Sequence, residues 1–167
     1  MIVLKISTKE SIETKEEWER FALEKSDLRV EFEEQNVGDY NTNLVTIEVK
    51  MSIDDFIASA IDRVERKDGT LYERLNSQLD RLIADTRPVK VFLLIGDIED
   101  RISDIHRNSV HGFMAKICCK GNINDCLATR ASMNGVNFVK LTDEDDWMDF
   151  IYRIVRLSEK YKKQLMK

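Results

Sequence analysis

Short runs of apolar residues alternate along this chain with longer segments in which apolar residues recur every three or four positions. The short runs predict β-strands at residues 2–6, 28–32, 44–50, 89–95 and 136–140. The longer segments predict helices at about residues 15–22, 71–83, 109–119, 123–134 and 143–163. Because strands and helices alternate, the pattern predicts an α/β domain in which helices cover a sheet.

The predicted strand at residues 44–50 has one apolar and one polar face, because successive side chains of a strand point to opposite sides. The apolar row is Val45, Ile47 and Val49, and the polar row is Thr46, Glu48 and Lys50. The preceding Asn41-Thr42-Asn43 has the composition of a turn. We therefore expect a hairpin in which Asp39, on the earlier strand, lies across from Glu48.

Asp39, Glu48 and Lys50 are the residue types that metal-dependent phosphodiester hydrolysis requires. Carboxylates suit a hard cation such as Mg²⁺, which offsets charge on the scissile phosphate and lowers the pKa of the attacking water. A lysine beside them would orient the water or offset developing charge. The same residues also suit an ordinary edge hairpin with a solvated polar face, because such triplets are common in charged proteins.

Gly38-Asp39-Tyr40, followed by Glu48-Val49-Lys50, three residues and Asp54, resembles the signature of the XPF-type nuclease domain. That signature is Gly-Asp, a spacer, Glu-Arg-Lys, three residues and Asp. The similarity continues through residues 55–62, 71–82 and 91–96 and so covers most of the chain. It implies a restriction-endonuclease-like three-layer sandwich, with a central mixed sheet flanked by helices.

The resemblance also implies a metal-dependent endonuclease that cuts DNA near branch points such as flaps, forks and junctions. Asp39 and Glu48 would bind Mg²⁺ or Mn²⁺, with the backbone carbonyl of Val49 as an additional ligand. Lys50 would orient or activate water, and Asp54 would support the site. An alternative explanation of Asp54 is the helix dipole, which favours an acid in the first turn of a helix.

Ser52 is well placed to cap that helix, with Asp55 at the third helical position. Nearby, Glu65-Arg66-Lys67 spells the family triplet literally, but it lies in a polar stretch at residues 62–69. We interpret this stretch as an insertion between two helical pieces. Arg66 and Lys67 would then be either solvated or in contact with DNA.

The chain departs from the family pattern at three places. Val49 replaces the arginine of the triplet, Ser7-Thr8-Lys9-Glu10 replaces Asp-x-Arg-Glu, and Ile95-Gly96-Asp97 stands where Glu-Gly is usual. The missing acid of the first strand and Val49 favour an alternative function, a catalytically silent scaffold that binds DNA or a partner nuclease, whereas the intact Asp39, Glu48 and Lys50 oppose it. A small-ligand domain using Gly96-Asp97 is a third alternative, although the chain has no glycine-rich phosphate loop.

The length and the charge of the chain bear on its domain organisation and on nucleic-acid binding. At 167 residues the chain is predicted to be one domain, residues 1–167, without the helix-hairpin-helix module that family members usually carry. A net charge of −5 fits a general nucleic-acid binder poorly. However, the C-terminal tail is basic, and its Lys160, Lys162 and Lys163 would either contact DNA or form a solvated helix end.

The cysteines and the hydropathy point to a compartment. Cys118, Cys119 and Cys126 are odd in number and lack Cys-x-x-Cys or paired-histidine spacing, so we expect reduced structural cysteines and no zinc site. No apolar stretch approaches the roughly 20 residues that a membrane span requires. We expect an intracellular protein, cytoplasmic or nucleoid-associated, or nuclear in a eukaryote, with no membrane partner.

The last predicted helix carries a broad apolar stripe. Its members are Trp147, Phe150, Ile151, Ile154, Leu157 and Tyr161. A stripe of this width on the final helix of a small domain indicates an uncovered patch, and such patches mark interfaces. We therefore expect a homodimer or heterodimer formed through the C-terminal helices, as the family resemblance also implies.

Overall fold

A computed structural model describes residues 1–52, 55–56, 59, 63–65, 71–96, 131–142 and 145–166 of the chain, and of residues 63–65 and 71–73 the backbone alone. The strands are β1 (Ile2–Ser7), β2 (Leu28–Glu33), β3 (Tyr40–Asn41), β4 (Val45–Lys50), β5 (Arg63–Glu65), β6 (Leu71–Glu73), β7 (Val89–Ile95) and β8 (Val136–Leu141). The helices are α1 (Ile12–Leu23), α2 (Arg74–Ala84), α3 (Trp147–Lys160) and α4 (Lys162–Leu165).

Six of these strands form one mixed sheet in the order β2-β1-β3-β4-β7-β8. β1 pairs in parallel with β2, and β4, β7 and β8 are parallel neighbours. The two-residue strand β3 lies antiparallel between β1 and β4 and joins these two halves. β1 and β4 therefore run in the same direction, and their carboxyl ends meet at one edge of the sheet.

Helices cover both faces of the sheet. α1 and α3 pack on the face to which Val45, Ile47 and Val49 point, and they bury Trp18 and Ile151 there. α2 packs on the other face, against β4 and β7. The predicted α/β fold with a central mixed sheet between helical layers is therefore confirmed.

The predicted strand bounds agree with the structure to within one residue, but the region around residues 63–75 differs. Residues 71–73 were predicted to begin a helix, and instead they form β6, which pairs with β5 in a small hairpin. The stretch interpreted as an insertion between helical pieces contains the strand β5; helical residues 55, 56 and 59 precede it, and α2 follows β6. Three-residue strands are too short to show an alternation of apolar and polar residues. Arg66 and Lys67 lie outside the described residues.

The C-terminal helix is shorter than the predicted range 143–163, because Asp146 caps it and accepts a hydrogen bond of 2.9 Å from the Asp149 N–H. Its buried residues are Met148, Ile151, Tyr152, Val155 and Ser158. Of the predicted stripe, Leu157 and Tyr161 are 52% and 44% exposed. The described part of the chain therefore leaves one end of the stripe uncovered.

Other predictions fall on residues that the structure does not describe. The predicted helix at 109–119, the three cysteines and Asp97 belong to them, as does most of the predicted helix at 123–134. Residues 131–133 are helical and are followed by Gly135 at a φ of +73°, the left-handed geometry that commonly ends a helix. None of the described helices is long and apolar enough to span a membrane.

Candidate functional site

A cleft of about 620 Å³ opens at the edge of the sheet where the carboxyl ends of β1 and β4 meet. Carboxylates of Glu10, Asp39, Glu48 and Asp55 line it. Glu10 follows the end of β1, Asp39 directly precedes β3, and Glu48 is on β4. The sheet order thus brings together acidic residues that are far apart in the sequence.

Asp39 is fixed by hydrogen bonds to both neighbouring strands. Its carbonyl accepts from the Ser7 N–H at 2.8 Å, and its N–H donates to the Ile47 carbonyl at 2.7 Å. Because β3 begins only after Asp39, the Asp39 side chain takes the place of a backbone partner for β4. Its Oδ2 accepts a hydrogen bond from the Val49 N–H at 2.8 Å. The carboxylate therefore has a defined position beside β4.

Gly38 makes this position possible. Its φ of +70° is in the left-handed region, and an added Cβ would lie 2.6 Å from Thr46 Oγ1 and 2.9 Å from the Ile47 carbonyl oxygen. Only glycine fits this backbone without displacing β4. The Gly-Asp pair is thus a structural requirement for bringing Asp39 close to Ile47.

Gly38→Ala is expected to lower the free energy of unfolding by about 2–4 kcal/mol, because backbone strain and a steric clash add up. Gly135→Ala is the matched control: its φ is +73°, and nothing lies within 4 Å of the added Cβ. That variant should lose only the strain, about 1–2 kcal/mol. Urea unfolding of both proteins measures the difference, and equal losses would show that the close approach to β4 is unimportant.

Asn41 holds the loop that leads into the site, a role that its sequence context as a turn residue did not suggest. It is buried, and its Nδ2 donates to Gln35 Oε1 at 2.6 Å and to the Val37 carbonyl at 2.8 Å. Its Oδ1 accepts from Arg87 Nη1 at 2.9 Å. Asn41 therefore connects the loop before Asp39 to the segment before β7, and only the folded sheet reveals this contact.

Glu48 and Lys50 lie in the polar row of β4, as predicted, but this row is not solvated. Their exposed fractions are 5% and 3%, and Lys50 Nζ donates to Glu48 Oε1 at 3.1 Å. β4 is also a central strand with partners on both sides. The alternative of an edge hairpin with a solvated polar face is therefore wrong.

Burial and like charges raise the pKa values of Asp39 and Glu10. Burial, then the neighbouring Glu48, raises the pKa of Asp39 to about 7, against the lowering effect of the Val49 N–H. Burial also raises the pKa of Glu10, the adjacent Tyr40 hydroxyl lowers it, and Glu48 raises it. Glu10 was not predicted as a site residue, because its approach to Glu48 depends on the order of the strands.

These residues offer oxygen donors, which suit Mg²⁺ or Mn²⁺ better than a soft metal. Val49 donates its N–H toward Asp39, and in a strand the N–H and C=O of one residue face the same side. The Val49 carbonyl therefore faces the same side as the Asp39 carboxylate. Within the described ranges, no group of three or more His, Cys, Asp or Glu residues is arranged to hold a metal ion.

The remaining predicted site residues are elsewhere or outside the description. Asp54 is not among the described residues, whereas the next residue, Asp55, lines the cleft and donates its N–H to Ser52 Oγ at 3.1 Å, as the predicted cap requires. The tail lysines Lys160, Lys162 and Lys163 are exposed on α3 and α4 and are not among the residues that line the cleft.

Comparison with known proteins identifies the domain. The family model of the ERCC4 domain matches residues 8–154, which is most of the chain and includes Glu10, Asp39, Glu48 and Lys50. No curated protein matches the chain. The mixed sheet flanked by helices is consistent with the restriction-endonuclease-like fold of this family. The chain therefore belongs to the ERCC4 domain family, the XPF-type nuclease domains.

Proposed function

We propose that this domain is a divalent-metal-dependent endonuclease that hydrolyses phosphodiester bonds near branch points in DNA. The observation that carries the proposal is the arrangement of Asp39, Glu48 and the buried Lys50 at one edge of the sheet. Membership of a nuclease family supports DNA as the substrate and the connection to DNA repair. The preference for flaps, forks and junctions rests on the family alone.

Asp39 and Glu48 would hold Mg²⁺ or Mn²⁺, with the Val49 carbonyl as an additional ligand. Such a cation, when bound, supplies charge compensation for the phosphate and a lower pKa for the attacking water. The raised pKa of Asp39 supports the fit of a cation to this site, because a cation between the carboxylates relieves their mutual repulsion.

Lys50 has a defined position before any substrate arrives. Its ammonium group is buried and bonded to Glu48 at 3.1 Å, so its long side chain is already ordered toward the acidic residues. There it would donate a hydrogen bond to the attacking water or to a phosphate oxygen. Asp54, four residues further along the chain, would support the site.

One observation favours a second candidate, a silent scaffold that binds DNA or a partner nuclease. Ser7 is buried at the cleft, at the place where the family usually carries an aspartate. It removes one carboxylate from the site, although Glu10, three residues later, still lines the cleft. The two candidates differ in whether DNA that is bound is also cut.

Cleavage of forked, flap and four-way DNA with Mg²⁺ or Mn²⁺ tests the proposal. We expect cuts near the branch point that disappear in EDTA and in Asp39→Asn, and little cutting of a linear duplex of the same sequence. Binding without any cleavage by the wild-type protein would favour the scaffold. Cleavage that persists in EDTA would contradict the metal site.

The stability of the metal-free protein is expected to fall as the pH rises from about 4 to about 7. Asp39 has a pKa of about 7 in the folded protein, above its ordinary value of 3.8, so the folded state retains a proton that the unfolded state has released. Stability from this group is complete below its ordinary pKa and is lost as the pH passes about 7, by on the order of 4 kcal/mol. Glu10 acts in the same direction.

Urea unfolding in EDTA at several pH values measures this effect. Asp39→Asn should flatten the profile, because its side chain does not titrate. Saturating Mg²⁺ should reverse the slope, since metal binding requires the deprotonated carboxylate. An unchanged profile in Asp39→Asn would mean that other groups govern the pH dependence.

The uncovered end of the apolar stripe on α3 is proposed as part of a dimer interface, and family members often dimerise. Leu157→Asp should therefore give a monomer at concentrations where the wild-type protein sediments as a dimer. Leu23→Asp, at an 88% exposed position at the end of α1, is the matched control and should remain dimeric. A wild-type protein that is monomeric at tens of micromolar would contradict the interface.

A further inference from the structure

One face of α2 forms part of the wall of the cleft that the carboxylates also line. The residues of α2 that line the cleft are Arg74, Ser77, Gln78 and Arg81. They follow one another at intervals of three, one and three residues, which places them on one side of a helix. Leu75, Leu79 and Leu82 are fully buried and attach α2 to the sheet.

One of the two arginines on this face has no ion-pair role among the described residues. Arg81 is exposed and, within the described ranges, forms no ion pair, even though carboxylates line the same cleft. Arg74, at the start of α2, is exposed as well, and it also has contacts of its own. Between them Gln78 is only 8% exposed, and its Oε1 has no hydrogen-bond partner among the described groups.

The spacing of the two arginines suits a chain of phosphates. Seven residues of helix rise about 10.5 Å, so the two guanidinium groups start from positions too far apart to serve a single phosphate. Arginine presents a planar set of donors that binds phosphate oxygens in pairs. The cleft of about 620 Å³ has the volume of a pocket for a small molecule, which suits one strand better than a duplex.

We propose that Arg74 and Arg81 bind the phosphates on either side of the scissile one, so that a single DNA strand crosses the cleft between α2 and the carboxylates. The proposal deepens the function proposed above and rests on it in taking DNA as the ligand. The acidic wall would receive the phosphate that is cut, and the basic wall would hold its neighbours. The domain would thus select a strand that has separated from its complement, as strands do at a branch point.

Binding of a fluorescent forked DNA in EDTA tests this without relying on metal or cleavage. We expect Arg81→Ala and Arg74→Ala each to weaken binding by about tenfold, the loss of a charged hydrogen-bonded contact. Each should also lower the slope of log K against log salt concentration by about one. Arg20→Ala is the matched control, because Arg20 is an exposed arginine in the last turn of α1 and is not among the cleft residues.

Neutral methylphosphonate links locate the contact. Placed singly along the strand that is cut, they should weaken binding of the wild-type protein at positions flanking the scissile phosphate. At one of these positions the substitution should have no further effect on Arg81→Ala, because both changes remove the same contact. Arg81→Lys should retain the salt slope and recover only part of the affinity.

The outcomes separate this inference from the proposed nuclease function. If Arg81→Ala and Arg74→Ala bind as tightly as Arg20→Ala while Asp39→Asn abolishes cleavage, the phosphate contacts are refuted and the nuclease function stands. If both arginine variants bind weakly but the wild-type protein never cuts, the contacts stand and the nuclease function is refuted. A wild-type protein that does not bind forked DNA refutes both.

Discussion

Asp39→Asn and Glu48→Gln should each lower metal-dependent cleavage by roughly a thousandfold or more. A metal ion contributes several kcal/mol to the transition state, and each 1.36 kcal/mol corresponds to about a factor of ten in rate. The fold should persist in Asp39→Asn, because the amide oxygen of the new side chain still accepts the hydrogen bond from the Val49 N–H. In EDTA, Asp39→Asn should be as stable as the wild-type protein or more so at neutral pH, since one of several mutually repelling acids is neutralised.

Single-turnover cleavage of a forked DNA over a range of Mg²⁺ concentrations measures the effect, and circular dichroism checks the fold. Glu16→Gln is the control, because Glu16 is exposed on α1 and its substitution removes the same charge from a position that is not part of the cleft lining. Wild-type rates in both site variants would show that the cut is made elsewhere. A loss of fold in Asp39→Asn would instead assign the residue a structural role.

Lys50→Met should lower the maximal cleavage rate by about 10²–10⁴-fold, the range for a group that transfers or stabilises a proton in the transition state. Methionine has an unbranched apolar side chain, so it fills the space that the lysine stem occupies. The variant should also be less stable in EDTA by about 3–5 kcal/mol, because Glu48 is left buried without its partner. Adding Glu48→Gln to Lys50→Met should restore much of that stability.

The two effects of this substitution are measured separately. A Mg²⁺ titration of the cleavage rate distinguishes a lower maximum from a higher metal requirement, and urea unfolding gives the stability of the single and double variants. If Lys50→Met reaches the full maximal rate at higher Mg²⁺, then Lys50 only tunes the local charge. If the double variant is no more stable than Lys50→Met, the ion pair is not the source of the loss.

Much of the fold was predictable because the local pattern and the tertiary environment agree. Residues 91–95 of β7 are buried and form a continuous apolar run, and β4 alternates because one of its rows joins the main core. The grouping of Asp39, Glu48 and Lys50 around one cleft was also predictable, because it follows from the hairpin. The burial of Glu48 and Lys50 was not predictable, because it depends on tertiary packing against β4, to which the distant segment α2 contributes.

Features set by long-range contacts escaped prediction. The two residues of β3 carry no periodicity, yet they bring β1 next to the hairpin and so bring Glu10 toward Glu48. Asn41 appears in the sequence as one of three turn residues, and its contact with Arg87 spans 46 positions. The start of α2 was misplaced because residues 71–73 pair with β5, which no helical periodicity indicates.

The hydrogen bonds of Asp39 also bear on the order in which the chain folds. Asp39 is held by Ser7, which is 32 positions earlier, and by Ile47 and Val49 on β4. Its carboxylate therefore reaches its final position only after β1, β3 and β4 have paired, and such non-local pairing is the slow part of folding. Under the proposed function, a nascent or partly unfolded chain would therefore be unable to cut nucleic acid, because the carboxylates would be grouped only once the sheet has assembled.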